Sequence, residues 1–313
     1  MVVIGSPFDL CGYRQGARLG PPAVRLAGLQ GTLEGLGHNV VDEGDIAFSD
    51  LPTDPAGLKH FEGCVHNLAQ VRDRVAAAAA KGETPLVIGG DHTLGLGTLA
   101  GALKHYGDDV AILWIDAHAD CNTPATSPSG NLHGMPLAAA MGRPSGTGGV
   151  KDEQWKTLEQ RVMPGRYIRP DRLAWFGLRD VDEGEKRVLT SLKGNYVATM
   201  YDIDRNGIMQ NLQRLHHWIV DSGISKLWIS FDVDVLDPIL APGTGTAVRG
   251  GLSYREMHLI GELLWECLSE KKYQLAGLDV VETNPLFDNN NATARTAVEW
   301  IASLFGKSIL GKH

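Results

Sequence analysis

Short, nearly continuous apolar runs punctuate the chain at 2–4, 86–88, 110–115, 173–176, 227–231 and 275–281. Unbroken apolarity over so few residues predicts strands that are covered on both faces. Longer stretches with helix-like composition lie between them, at 68–81 with its alanine run 76–80, at 206–221 and at 254–271. Alternation of strand and helix predicts an α/β fold with a parallel sheet and helices on both sides. The stretches 123–130 and 142–172 are rich in Gly, Pro, Ser and Thr or carry mixed charge, and are expected as loops. Strand-like runs continue beyond both, so a single domain over 1–313 is expected. Gly95-Leu-Gly97 is expected to permit close helix packing rather than to bind a nucleotide, because no G-x-G-x-x-G follows the first strand.

Polar, ionisable residues begin where apolar runs stop. Gly89-Gly90-Asp91-His92, Asp116-Ala-His118-Ala-Asp120, Asp232-Val-Asp234 and Asp279-Val-Val-Glu282 each follow such a run. Open α/β sheets bind ligands beyond the carboxyl ends of their strands, so these four clusters mark the candidate site. Composition narrows the classes. With 43% hydrophobic and 21% charged residues, the chain is not of the disordered class. A net charge of −8 disfavours nucleic acid as a partner. No apolar run approaches the roughly 20 residues of a membrane span. The N-terminus lacks the basic region of a signal peptide, and Cys11, Cys64, Cys121 and Cys267 show no C-x-x-C spacing. Reduced thiols and a cytoplasmic location are expected.

Asp116, His118 and Asp120 are spaced by two, which puts their side chains on one face of an extended segment. Asp232 and Asp234 share that spacing. An isolated D-x-D at a strand end is more often a turn or a helix cap. Several carboxylates gathered beside an apolar core are costly without positive compensation, and metal ions are the simplest source. Two imidazoles and four carboxylates, His92, Asp116, His118, Asp120, Asp232 and Asp234, suit Mn²⁺ better than structural zinc. Six ligands suit two ions that share carboxylates, and such paired ions, about 3.5–4 Å apart, polarise a bridging water.

At these residues the sequence resembles the ureohydrolase family and, within it, the arginases. G-G-D-H, D-A-H-x-D and S-F-D-x-D followed by Asp237-Pro238 carry the resemblance, which runs from Gly16-Ala-Arg-Leu-Gly-Pro21 to Glu282-Thr-Asn-Pro285. It implies a three-layer arginase/deacetylase-like fold with a central parallel sheet of about eight strands. It also implies two Mn²⁺ per subunit, one held by His92, Asp116, Asp120 and Asp232, the other by Asp116, His118, Asp232 and Asp234. A homotrimer or homohexamer is implied as well. Asn122 and Ser129 are placed on the α-carboxylate of L-arginine, with Ser127 and Asn131 assisting through water. Asp182 takes the α-ammonium, with Glu185 nearby. Agmatine lacks the α-carboxylate, and agmatinases usually lack this loop. The segment Pro242-Gly-Thr-Gly-Thr246 departs towards agmatinases.

The expected reaction is attack of a metal-bridging hydroxide on the guanidinium carbon, giving L-ornithine and urea. Glu282 is expected to orient the guanidinium, since a planar cation invites a carboxylate. Asp120 relays the nucleophile's proton, His133 shuttles protons, and Thr246 hydrogen-bonds a guanidinium-derived atom. The alternatives are another ureohydrolase, such as an agmatinase or guanidinobutyrase, and a metal-binding scaffold without turnover.

Overall fold

A computed structural model describes residues 1–163 and 165–310; the single domain expected over 1–313 therefore reaches past the described residues at its end. Eight strands form one parallel sheet: β1 (Val2–Ser6), β2 (Val41–Asp45), β3 (Pro85–Gly89), β4 (Val110–Ile115), β5 (Leu173–Leu178), β6 (Tyr196–Thr199), β7 (Lys226–Asp232) and β8 (Gln274–Val281). Their order across the sheet is β2-β1-β3-β8-β7-β4-β5-β6. Every pairing is parallel.

The six apolar runs are the six inner strands. Along β4, Val110, Ile112 and Trp114 enter one core while Ala111, Leu113 and Ile115 enter the other. Both faces of the strand are therefore dry, which is why its sequence shows no polar alternation. Helices Phe61–Ala80, Leu94–Tyr106 and Val150–Val162 cover the first face; Ile208–Asp221, Tyr254–Ser269 and Ala292–Leu304 cover the second. The result is the expected three layers. Each fully buried Leu or Ile adds roughly 1.5–3 kcal/mol to holding them together.

Three expectations are corrected. The stretch 142–172 is not all loop, because Val150–Val162 is helical and buries Trp155, Leu158 and Val162 at i, i+3 and i+7. Its many charges mask that stripe. The helix expected over 206–221 starts at Ile208 and runs to Asp221, because Gly207 takes φ 79° and separates it from the helix Met200–Asn206. Strands β2 and β6 lie outside the six expected runs. Both are sheet edges, and β2 alternates exposed and half-buried residues. Gly95 and Gly97 do serve packing: a Cβ on Gly97 would lie 2.8 Å from the Leu68 carbonyl, and one on Gly95 would lie 2.7 Å from the Trp114 ring.

Candidate metal centre and substrate cleft

The sheet order explains why residues nearly 200 positions apart meet. Strands β8 and β7 are inserted between β3 and β4, so the carboxyl ends of all four are neighbours. His92 follows β3; Asp116, His118 and Asp120 follow β4. Asp232 closes β7, with Asp234 in the 3-10 turn Val233–Val235, and Glu282 follows β8. The structure brings all six expected ligands into two touching groups. His92 Nδ1 lies 3.0 Å from Asp116 Oδ2, 3.1 Å from Asp120 Oδ2 and 3.0 Å from Asp232 Oδ2. His118 Nδ1 lies 3.1 Å from Asp234 Oδ2 and 3.4 Å from Asp116 Oδ1. Asp116 thus turns one oxygen to each group.

The network around His92 decides its chemistry. Ser230 Oγ donates to Asp279 Oδ1, whose Oδ2 accepts from Thr98 Oγ1 and Trp228 Nε1. Having given its proton away, Ser230 accepts from His92 Nε2, 2.8 Å distant. Nε2 is thereby the donor to Ser230, and Nδ1 faces three carboxylate oxygens; burial pulls the imidazole down, but its hydrogen bonds to Asp116, Asp120 and Asp232 push it well above its ordinary value. The ring stacks on Trp114 at 4.0 Å and 5°, and Trp114 Nε1 donates to Asp116 Oδ2 at 2.9 Å. The room that Gly95 leaves for Trp114 thus positions a ligand on each side of it.

Beside this floor lie His133 and Glu282. His133 Nδ1 is 3.0 Å from Glu282 Oε1, which also accepts the backbone N–H of His92 at 3.0 Å. Burial pulls the imidazole down, but the Glu282 hydrogen bond and charge outweigh it and push His133 up to about 9. Asp120 and Glu282 both hold left-handed backbone, φ 50° and 60°. Strain at two non-glycine residues of one site is characteristic of functional positions.

The loop after β4 forms the wall. Ser127 Oγ accepts the Gly130 N–H at 3.0 Å, and Ser129 Oγ accepts the Asn131 N–H at 3.2 Å. Each hydroxyl still has a proton to donate. Opposite, Asp182 caps the helix Glu183–Ser191 through Oδ1, which accepts from Gly184 and Glu185, while its Oδ2 accepts from Asn122 Nδ2 at 2.7 Å. Glu185 completes the capping box and also accepts the Cys121 N–H. Burial, then the charges of Asp120 and Asp182, push Glu185 up to about 8. Floor and wall enclose a cleft of about 270 Å³ lined by His92, His118, Asp120, Asn122, Ser127, Ser129, His133, Asp182, Glu185, Asp232, Asp234 and Thr246 among others.

A family model described as the arginase family matches residues 1–306. This chain belongs to the arginase family. It is 38% identical to the arginase of Bacillus subtilis, covering 98% of both chains. The solved Bacillus caldovelox arginase superposes with a TM-score of 0.87 at 37% identity over 98% of each chain. A hypothetical agmatinase from Burkholderia thailandensis fits less well, with a TM-score of 0.71 and 26% identity over 97% of this chain and 84% of that one.

For an arginase-family protein, the question is whether these residues fit the metal the family implies. Nδ1 of His92 is a ligand atom on which three carboxylate oxygens converge. Burial and the charges of Asp234 and Asp116 drive Asp232 well above the usual carboxylate range, and burial with the Asp116 charge raises Asp120. Four carboxylates crowded against two imidazoles call for further positive charge. Arg179 does not supply one. Its guanidinium is spent on the carbonyls of Asp234, Val235, Leu236 and Val248. The donor set fits divalent cations.

Some of the expected site residues also have partners within the protein. The Thr246 hydroxyl donates to Asp234 Oδ2 at 2.7 Å, which leaves its oxygen to accept. Asn131 Oδ1 and the Ser129 carbonyl accept from Lys59 Nζ at 2.8 Å. Sequence reasoning assigned no role to Ser230, Asp279, Trp114, Asp91 or Lys59. Asp91 is buried and accepts the Cys11 N–H at 2.9 Å, while the Cys11 carbonyl accepts the His133 N–H at 3.3 Å. Its place beside His92 in G-G-D-H was the available signal. All four cysteines are free thiols, three of them buried, and none donates to the cluster. Among the described residues no helix is long and apolar enough to cross a membrane.

Proposed function

We propose that the chain is an arginase that hydrolyses L-arginine to L-ornithine and urea over two Mn²⁺ held by His92, Asp116, Asp120 and Asp232 and by Asp116, His118, Asp232 and Asp234. The observation that carries this reading is the adjacency of two features. One is a carboxylate shared between two His–Asp groups; the other is a wall with free hydroxyls on one side and Asp182 on the other. A zwitterionic amino acid needs donors for its carboxylate and an acceptor for its ammonium, and both are present.

When bound, the two ions supply positive charge that lowers the pKa of a water and polarises the substrate. The remaining tasks fall to the chain. Ser129 and Asn122 hold the α-carboxylate, with Ser127 and Asn131 behind them, and Asp182 holds the α-ammonium beside Glu185. The Glu282 carboxylate keeps Oε2 for the guanidinium, because Oε1 is taken by His92 and His133. Asp120 passes the nucleophile's proton to the departing amine. His133, held by Glu282, exchanges protons with solvent, and Thr246 fixes Asp234 while offering its oxygen to an N–H. Water and the guanidinium together balance to urea and the free amine of ornithine. The proposed enzyme works as one catalytic domain, in the cytoplasm, as a homotrimer or homohexamer.

The test is urea release by Mn²⁺-loaded protein from L-arginine, agmatine and 4-guanidinobutyrate. Strong preference for L-arginine with equimolar ornithine is expected. Preference for a substrate without the α-carboxylate makes the chain an agmatinase-type ureohydrolase, and no urea from any of them makes it a scaffold.

A further inference from the structure

Six carboxylates line the cleft, those of Asp120, Asp180, Asp182, Glu185, Asp232 and Asp234, and among the described residues its lining includes no lysine or arginine. A substrate carboxylate entering there meets repulsion at the end of the cleft away from the cations, and neutral hydroxyls alone offset it weakly. One cation reaches the loop from outside. Lys59 Nζ donates to the Ser129 carbonyl and to Asn131 Oδ1, both at 2.8 Å. An ammonium has three donors, so one remains.

Lys59 does not dangle. Its neighbour Leu58 is buried and donates its backbone N–H to Gln154 Oε1 at 2.6 Å. Its own carbonyl accepts from Cys11 Sγ at 3.8 Å. His60 then starts the helix Phe61–Ala80. The aliphatic stem lies against Gly130, where an added Cβ would touch Cε at 3.9 Å. With φ 70°, Gly130 makes the turn in which Ser127 Oγ accepts the Gly130 N–H and Ser129 Oγ accepts the Asn131 N–H.

We propose that Lys59 is a specificity-determining residue that selects guanidino substrates bearing an α-carboxylate. It fixes the backs of Ser129 and Asn131 and places a positive charge behind their hydroxyl and amide. This inference rests on the proposed L-arginine reading and adds to it a residue roughly 70 positions away from the loop it serves. Its charge attracts only the carboxylate, so a substrate without that group gains nothing from it.

The experiment compares Lys59→Met, Lys59→Gln and Lys59→Arg with the wild type, all Mn²⁺-loaded, on L-arginine and agmatine. Calorimetry of L-ornithine and putrescine binding supplies a readout without turnover. Lys59→Met is expected to raise KM for L-arginine about tenfold, between the effect of an exposed ion pair and that of a charge-assisted hydrogen bond. Its kcat should stay within about twofold, and L-ornithine binding should weaken in parallel. Agmatine kcat/KM and putrescine binding should not follow. Lys59→Arg should recover most of the loss, and Lys59→Gln should flatten the salt dependence of L-arginine kcat/KM. Equal losses on both substrates mean that Lys59 merely props the loop, and no loss on either means that it is a surface lysine; both overturn the proposal. A wild type that does not prefer L-arginine overturns the functional reading itself, which the wild-type arm reports separately.

Discussion

The ligand side chains at the strand ends and the polar side chains of the 122–131 wall belong to one cleft, yet they are held in different ways. His92, Asp116, Asp232 and Asp234 are at most 2% exposed and are locked by buried partners such as Ser230, Asp279 and Trp114. The wall is a loop whose order comes from local turns, a helix cap and an outside lysine. Buried strand ends hold a charge cluster in fixed geometry, as a reaction centre requires. A loop on that frame can change its donors without disturbing the sheet, which suits substrate choice.

The largest effect is expected from breaking the floor. Asp116→Ala removes an oxygen from each ligand group. Turnover should fall more than about a thousandfold, the scale of several kcal/mol of charge stabilisation, and metal analysis should find both ions lost. Asp234→Ala touches one group and should lose one ion more readily than two. Equal retention of both ions in the two variants contradicts the shared-carboxylate geometry.

Next comes the boundary between floor and wall. His133→Asn should cut kcat by roughly 10²–10⁴-fold, the usual contribution of a proton-transfer group, with metal content unchanged. Full activity removes His133 from the proton path.

The two regions also differed in legibility. The gathering of the four carboxylates and two imidazoles was readable because such groups at alternate positions beyond a doubly buried strand, as at Asp116, His118 and Asp120, are costly without cations. The inner strands were readable because burial on both faces leaves an unbroken apolar run. Strands β2 and β6 were not, because an edge strand needs no apolar run, and the helix Val150–Val162 hid three buried residues among charges. The Asp279–Ser230–His92 chain joins three strands, and Lys59 meets Ser129 across 70 positions. Local pattern carries no trace of either. Thr246 was legible as a site residue, but its donation to Asp234 was not.

The smallest expected effect concerns Glu185, which joins wall to floor. Its pKa is raised from 4.5 to about 8 in the folded chain by burial and by Asp120 and Asp182. A raised folded pKa stabilises fully below the unfolded value and is lost as pH rises through the folded one. In chelator-treated protein the thermal midpoint should therefore fall between about pH 4.5 and 8, and Glu185→Gln should fall less. Parallel curves for the two proteins contradict the assignment.

The division of labour is tested most directly by kcat/KM for L-arginine relative to agmatine in Ser129→Ala and Asp182→Asn, with Mn²⁺ content measured on the same samples. The ratio should drop about tenfold or more in Ser129→Ala, which leaves the α-carboxylate without its partner while agmatine lacks that group; Asp182→Asn should weaken both substrates together, because agmatine keeps the ammonium, and metal content should hold in both. Equal losses on both substrates in Ser129→Ala, or loss of metal in either variant, would mean that wall and floor are not separable.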